Sequence, residues 1–329
     1  VIVQLRICVP AELSAAVVDQ CMAHAGSAEI SIDRGSSVVP AGDVITVQLA
    51  REAVEGLMEE LHGLRVPELG SISASTPELV LSKRADKAAA AVPGEGSDAI
   101  IWDEVSRQTG EDSRLTWSYL AFLVIATQLA GIGIVTDSTI AIVGAMVVGP
   151  EFGPLAALAF GLVERKWTMV RAAAAALAVG FPVAMMVTAA AAWSSLPLGL
   201  FADDALDKGS AVEFIYHPGP YSLIVAALAG AAGMLSMISR RSSALIGVFI
   251  SVTTVPAAGY VAVALVMGET GKAAGSAMQL LLNLAGIVLA AAAVLLFFKF
   301  TQRRTESRRI DARRAADRRK PGAPRPERR

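Results

Sequence analysis

One carboxylate and two prolines interrupt an otherwise apolar run, GAMVVGPEFGPLAAL (Gly144–Leu158), with four glycines if Gly161 just beyond it is counted. A helix in hydrocarbon satisfies its backbone groups internally. Irregular backbone at that depth is tolerated only where protein or a water-filled cavity surrounds it. Gly149, Pro150, Glu151, Gly153 and Pro154 therefore read as a break that is either a packed kink or the wall of a pathway. Breaking a helix frees N–H and C=O groups, and half-helix ends carry partial charges that favour ions. Glu151 is the ionisable group here. A carboxylate near the bilayer centre is costly unless neutralised, paired or hydrated, and is by default a functional-site hypothesis. The bland alternative is that Glu151 caps the half-helix after the break or sits in a water-filled vestibule.

A second cluster lies about a hundred residues on, where Ser251, Thr253, Thr254 and Pro256 place hydroxyl oxygens beside carbonyls that a proline would free. Oxygen-only ligands suit hard cations. Asn283 in the last apolar segment joins these as a pathway candidate, with Thr127, Gln128 and Gln279 as secondary ones. An isolated polar group between membrane helices more often acts as interhelical glue, worth about 0.6 kcal/mol. The expected ligand is a monovalent cation or a proton, and no cofactor is expected. His24, His62 and His217 are scattered, and Cys8 and Cys21 suggest neither a disulfide framework nor a metal site. No nucleophile elbow, zinc-protease helix, phosphate-binding loop or dinucleotide fingerprint is present, so no catalytic residue is assigned and an enzyme is not expected.

The elements that must position these residues are six apolar segments, at about 115–135, 139–163, 167–194, 221–238, 244–267 and 274–298. Each is long enough to cross a core about 30 Å thick at about 1.5 Å per residue. The chain is 54% hydrophobic with a mean hydropathy of +0.53, and the excess over an ordinary soluble protein lies almost wholly in this region. Basic residues recur on one side: Arg165 and Lys166, then Arg240 and Arg241, then Lys299, Arg303 and Arg304. The positive-inside rule then puts both termini in the cytoplasm of a plasma (inner) membrane protein, with Trp117, Trp167 and Trp193 as interfacial anchors. Leu129–Pro154 and Leu228–Gly259 share a Leu-Ala-Gly helix, a short turn with Ser, a small-residue helix and a proline break. With three segments per half, such a repeat is inverted, and paired broken segments point to a transporter's binding site.

Residues 1–83 read as a small soluble α+β domain of order βαββαβ, the ferredoxin-like split βαβ motif. It would act as an assembly module or a small-molecule sensor. Residues 84–114 read as a linker with a short amphipathic helix at Ala99–Gln108, suited to the membrane interface or to packing on the soluble domain. Residues 302–329 carry twelve Arg/Lys against four Asp/Glu. The tail 301–329 is expected to be attracted to anionic lipid, its first part extending the sixth helix. With no aromatics to stack bases, nucleic acid is not an expected partner.

The stretch LTWSYLAFLVIATQLAGIGIVTDSTIAIVGAMVVGPEFGPLAALAFGL (Leu115–Leu162) resembles the domain of unknown function 389 (DUF389) family of bacterial and archaeal membrane proteins, most strongly at GAMVVGPEFGP. The resemblance implies a polytopic membrane domain, often behind a soluble N-terminal region, and implies no reaction or substrate. Many members have a hydrophobic pair where this chain has Glu151-Phe152. The expectation is a cation-coupled secondary transporter, or an ion-conducting protein, of an unknown small solute or ion. A membrane-anchored sensor or scaffold is the alternative. Small-residue stripes at Ala172–Gly180 and Leu228–Gly233 favour close helix packing and a symmetric homo-oligomer, a trimer first.

Overall fold

The structure, a computed structural model, describes residues 1–92, 102–199, 206, 219–239 and 253–317, with side chains through residue 301. It forms two compact units, Val1–Ser106 and Arg107–Arg329.

The first unit is built on a sheet whose strands alternate apolar and polar residues. In order, β1 (Ile2–Val9), α1 (Ala11–Ala23), β2 (Ser27–Val38), β3 (Ala41–Ala50), α2 (Arg51–Gly63), α3 (Val66–Leu69), β4 (Ser71–Ser75) and α4 (Lys83–Ala91) make the βαββαβ order expected, with a one-turn helix added before β4. The sheet order is β2-β3-β1-β4, and every neighbouring pair is antiparallel. Because side chains alternate along a strand, Leu5 opposite Val47 and Ile7 opposite Ile45 share the buried face. Gln4, Arg6, Thr46, Gln48 and Ser73 take the other face. Val17 and Cys21 from α1 and Val54, Leu57 and Leu61 from α2 close the core. Each such large side chain is worth about 1.5–3 kcal/mol relative to exposure. Ser82 caps α4 by accepting from the Ala85 N–H at 3.3 Å, and Ala85, Ala88 and Val92 are buried. The stretch that sequence places at the start of a linker is thus part of this unit.

The helix α5 (Trp102–Asp112) contains the junction of the units, and the described elements of the second unit are all helices: α6 (Trp117–Val135), α7 (Thr139–Val148), α8 (Phe152–Val163), α9 (Trp167–Ser195), α10 (Pro220–Ile238), α11 (Thr254–Val266) and α12 (Thr270–Asp317). Four helices are long and apolar enough to cross a membrane: α6, α9, α10 and Thr270–Thr301 of α12. The pair α7 and α8, bent by 48° at their break, makes a fifth span if read as one. Among the described residues that makes four or five candidate spans, against the six expected. The second expected segment is broken, because Pro150 lacks the N–H that would continue the helix. Of the fifth, 244–267, residues 244–252 lie outside the described residues and the remainder is the short α11.

Three helix ends in this unit terminate alike. Asp137, Arg165 and Gly268 adopt left-handed backbone, with φ of 50°, 56° and 79°. The following N–H then bonds a carbonyl five residues back: Ser138 to Gly133, Lys166 to Gly161 and Glu269 to Ala264, at 2.8, 2.8 and 2.9 Å. This Schellman geometry satisfies carbonyls the helix end would otherwise orphan and reverses the chain sharply. Elsewhere glycine lets backbones approach. A Cβ on Gly230 of α10 would overlap the Ile287 backbone of α12, and one on Gly259 of α11 would lie 2.8 Å from the Ala130 Cβ of α6. Small residues at such crossings drive helix association in lipid, where apolar burial alone does not.

Candidate functional site

The site is built by two short helices that begin in the same way. In α8 the first three residues are Phe152-Gly153-Pro154, and in α11 they are Thr254-Val255-Pro256. Proline tolerates the third position because its missing N–H would have had no partner within the helix. Each start therefore presents the N–H groups of its first two residues. The preceding residues, Glu151 and Thr253, accept the first helical bonds, from Leu155 N–H at 3.2 Å and Ala257 N–H at 3.1 Å. The two helices have 12 and 13 residues, and a three-residue turn then leads each into a long helix, α9 or α12.

These two starts meet. The Thr254 hydroxyl donates to Glu151 Oε1 at 2.6 Å, across 103 positions of sequence. Glu151 is 6% exposed, and its second oxygen, Oε2, has no hydrogen-bond partner among the described residues. Gly149 lies so close to Oε2 that a Cβ there would overlap it, and the same Cβ would stand 2.8 Å from the Val255 methyl Cγ2. The α8 start carries a positive partial charge that favours a carboxylate, and so does the α11 start facing it.

A polar string runs on from this point into α12. The Asn283 amide donates to Thr253 Oγ1 at 2.9 Å, and the Gln279 amide reaches Asn283 Oδ1 at 3.4 Å. Gln279 and Asn283 are 1% and 2% exposed, and Gln279 Oε1 has no partner among the described residues. A buried polar atom without a partner costs about 1–3 kcal/mol. Glu151 Oε2 and Gln279 Oε1 thus both stand unsatisfied among the described residues, which a packed kink does not require.

The structure gathers Gly149, Glu151, Thr253, Thr254, Gln279 and Asn283 into one cluster, with Pro150, Gly153, Pro154 and Pro256 shaping the helix starts around it. Ser251 lies outside the described residues. Two secondary candidates stand apart. Thr127 donates to Leu123 O of its own helix at 2.7 Å, and Gln128 reaches Val187 O on α9 at 3.4 Å. Sequence reasoning missed Tyr119 of α6. Its buried hydroxyl has no hydrogen-bond partner among the described residues, and it is close enough to Glu151 to feel the carboxylate charge. The signal was there: a tyrosine in an apolar helix wants a polar partner. It also missed the seat of Phe152, whose ring fills the place a side chain on Gly233 of α10 would take, and the approach of Asp112 to Gly153. At the far end of α8, Glu164 pairs with Lys299 of α12 at 2.5 Å, both partly buried. Among the described residues no cluster of His, Cys, Asp and Glu could hold a metal ion.

Residues 146–289 match the family model described as Domain of unknown function (DUF389), the family that Leu115–Leu162 resembles. That span begins at Met146, just before the break, and contains α8, α9, α10 and α11 entire together with Gln279 and Asn283. No curated protein matches the chain, and no solved structure does.

Proposed function

We propose that this DUF389 chain is a cation-coupled secondary transporter, or a related ion-conducting protein, of a prokaryotic plasma (inner) membrane with both termini cytoplasmic. Its ion site is the junction of the α8 and α11 starts. The observation that carries this reading is the buried Glu151 carboxylate, held on one oxygen by Thr254 and left without a partner on the other. An intramembrane carboxylate with no ion pair is a functional group by default. The matched architecture of α8–turn–α9 and α11–turn–α12 supports an inverted repeat: proline third in each short helix, three-residue turns, a left-handed residue in each turn. Inverted repeats with discontinuous helices at the midplane are the build of many secondary transporters. A homotrimer is the assembly favoured by the small-residue stripes, with anionic lipid at the basic tail. The soluble unit would govern assembly or sense a ligand.

The test is thermal stability of the purified protein across pH with Na⁺, with K⁺ or with neither, for the wild type and Glu151→Gln. A species that binds only the folded state raises apparent stability. The reading expects protons or one cation to stabilise the wild type and not the variant, and liposome flux to depend on the same ion. Identical responses of the two proteins would remove Glu151 from any ion site. They would favour the second reading, a membrane-anchored sensor or scaffold, which draws on the independent core and open polar sheet face of Val1–Ser106.

A further inference from the structure

The ion at this site can be narrowed, on the premise that Glu151 is an ion site at all. A metal cation needs a shell of oxygen lone pairs, and among the described residues the partner of the Glu151 side chain is a hydrogen-bond donor, the Thr254 hydroxyl. Oε1 already accepts the Thr254 hydroxyl proton at 2.6 Å. Thr253 Oγ1 accepts from the Asn283 amide at 2.9 Å, and Asn283 Oδ1 accepts from Gln279 at 3.4 Å, so of this cluster's side-chain oxygens only Glu151 Oε2 and Gln279 Oε1 stay without a partner among the described residues, too few for a metal shell. Oε2 lies close to Gly149, with the Val255 methyl near the same point, and has no hydrogen-bond partner among the described residues. Glu151 directly precedes the α8 start and bonds the first residue of α11, so the positive ends of both helices lie beside the carboxylate, which disfavours a metal ion there. Few other charges are near. Tyr119 of α6 is within electrostatic reach of the carboxylate, and Asp112 at the end of α5 lies against Gly153 in the first turn of α8. The contacts from α11 and α12 are the uncharged Thr253, Thr254, Gln279 and Asn283, and that from α10 is Gly233 against Phe152. Among the described residues Glu151 has no ion-pair partner.

We infer that the ion exchanged at Glu151 is a proton, taken up on Oε2, and not a metal cation. The step is a simple association: the carboxylate, supported by the two helix starts and the Thr254 hydroxyl, becomes a neutral carboxylic acid and later releases the same proton. One group alternates between two forms that the same donors tolerate, and no ligand shell has to form or break.

Infrared difference spectroscopy of the full-length protein in detergent, recorded between pairs of pH values, tests this through the C=O stretch of a protonated carboxyl. Melting curves with Na⁺ or K⁺ run alongside. The expected result is a carboxyl band that appears and vanishes reversibly within the pH range of the folded protein, is lost in Glu151→Gln, and is unaffected by either metal ion. Thr254→Val keeps the carboxylate but removes its donor. It should move the band to higher wavenumber, which keeps the assignment testable if Glu151→Gln fails to fold. A melting temperature raised by Na⁺ or K⁺ in the wild type alone, with no titrating band, overturns the proton and leaves the ion-site reading standing. A carboxyl band present at every pH and blind to metal ions overturns both, because Glu151 is then a locked acid.

Discussion

Glu151 is one side chain whose two oxygens live in different surroundings, and each side can be disturbed alone. Thr254→Val strips the donor from Oε1 and should cost about 1–3 kcal/mol, read as a lower melting temperature at a pH where the carboxylate is charged. Gly149→Ala acts on the other oxygen, because its methyl would occupy the space of Oε2. It should destabilise the protein and abolish any pH response that Glu151 confers, even though Glu151 itself is intact. The sequence showed that a carboxylate and a hydroxyl cluster stood at two proline breaks, since composition and spacing alone reveal both. It did not show that Thr254 rather than Thr253 donates to the carboxylate. That choice depends on which face of a one-turn helix start points inward, and it is decided by packing from α6, α9 and α12. Tyr119 escaped for the same reason: its neighbours are distant in sequence.

At the scale of elements, glycines mark where helices touch, and the structure separates those that must be glycine from those that need not be. Gly230→Ala would push a methyl into the Ile287 backbone, with no flexible side chain to yield. Gly144 of α7 has nothing within 4 Å of the same position. The first substitution should lower the melting temperature, whereas Gly144→Ala should be neutral or raise stability by up to about 1 kcal/mol through helix propensity. The pair differs in packing alone, so equal effects from both would show that the α10–α12 crossing is not tight. Element boundaries were legible wherever backbone chemistry sets them: α6 begins after its Thr116 cap, α7 after Ser138, and α9 at Trp167 after the Arg165 turn. Less legible were α3 and the packing of α4. The first is a single turn, too short for periodicity, and the second is an alanine-rich helix whose burial comes from neighbours that its own sequence does not reveal.

At the scale of the whole molecule, the chain divides after Ser106, and the first unit carries a complete core. Residues 1–106 expressed alone should be soluble and unfold cooperatively. Burial, and then the nearby Glu60 carboxylate, push the Cys21 thiol up to about 11 from its ordinary 9.0. A group that holds its proton more tightly when folded contributes stability that is complete below the unfolded value and is lost as pH rises towards the folded one. Wild-type 1–106 should therefore lose stability more steeply than Cys21→Ala between about pH 9 and 11, measured by thermal unfolding; parallel curves would mean the thiol is not buried in solution. In the second unit, the decisive bond joins residues 103 positions apart. A ribosome adding about 5–20 residues per second finishes Glu151 roughly 5 to 20 s before Thr254 exists. Through that interval the carboxylate exists without its donor. The site is therefore a late product of synthesis, completed only when the second of its two helix starts has been made.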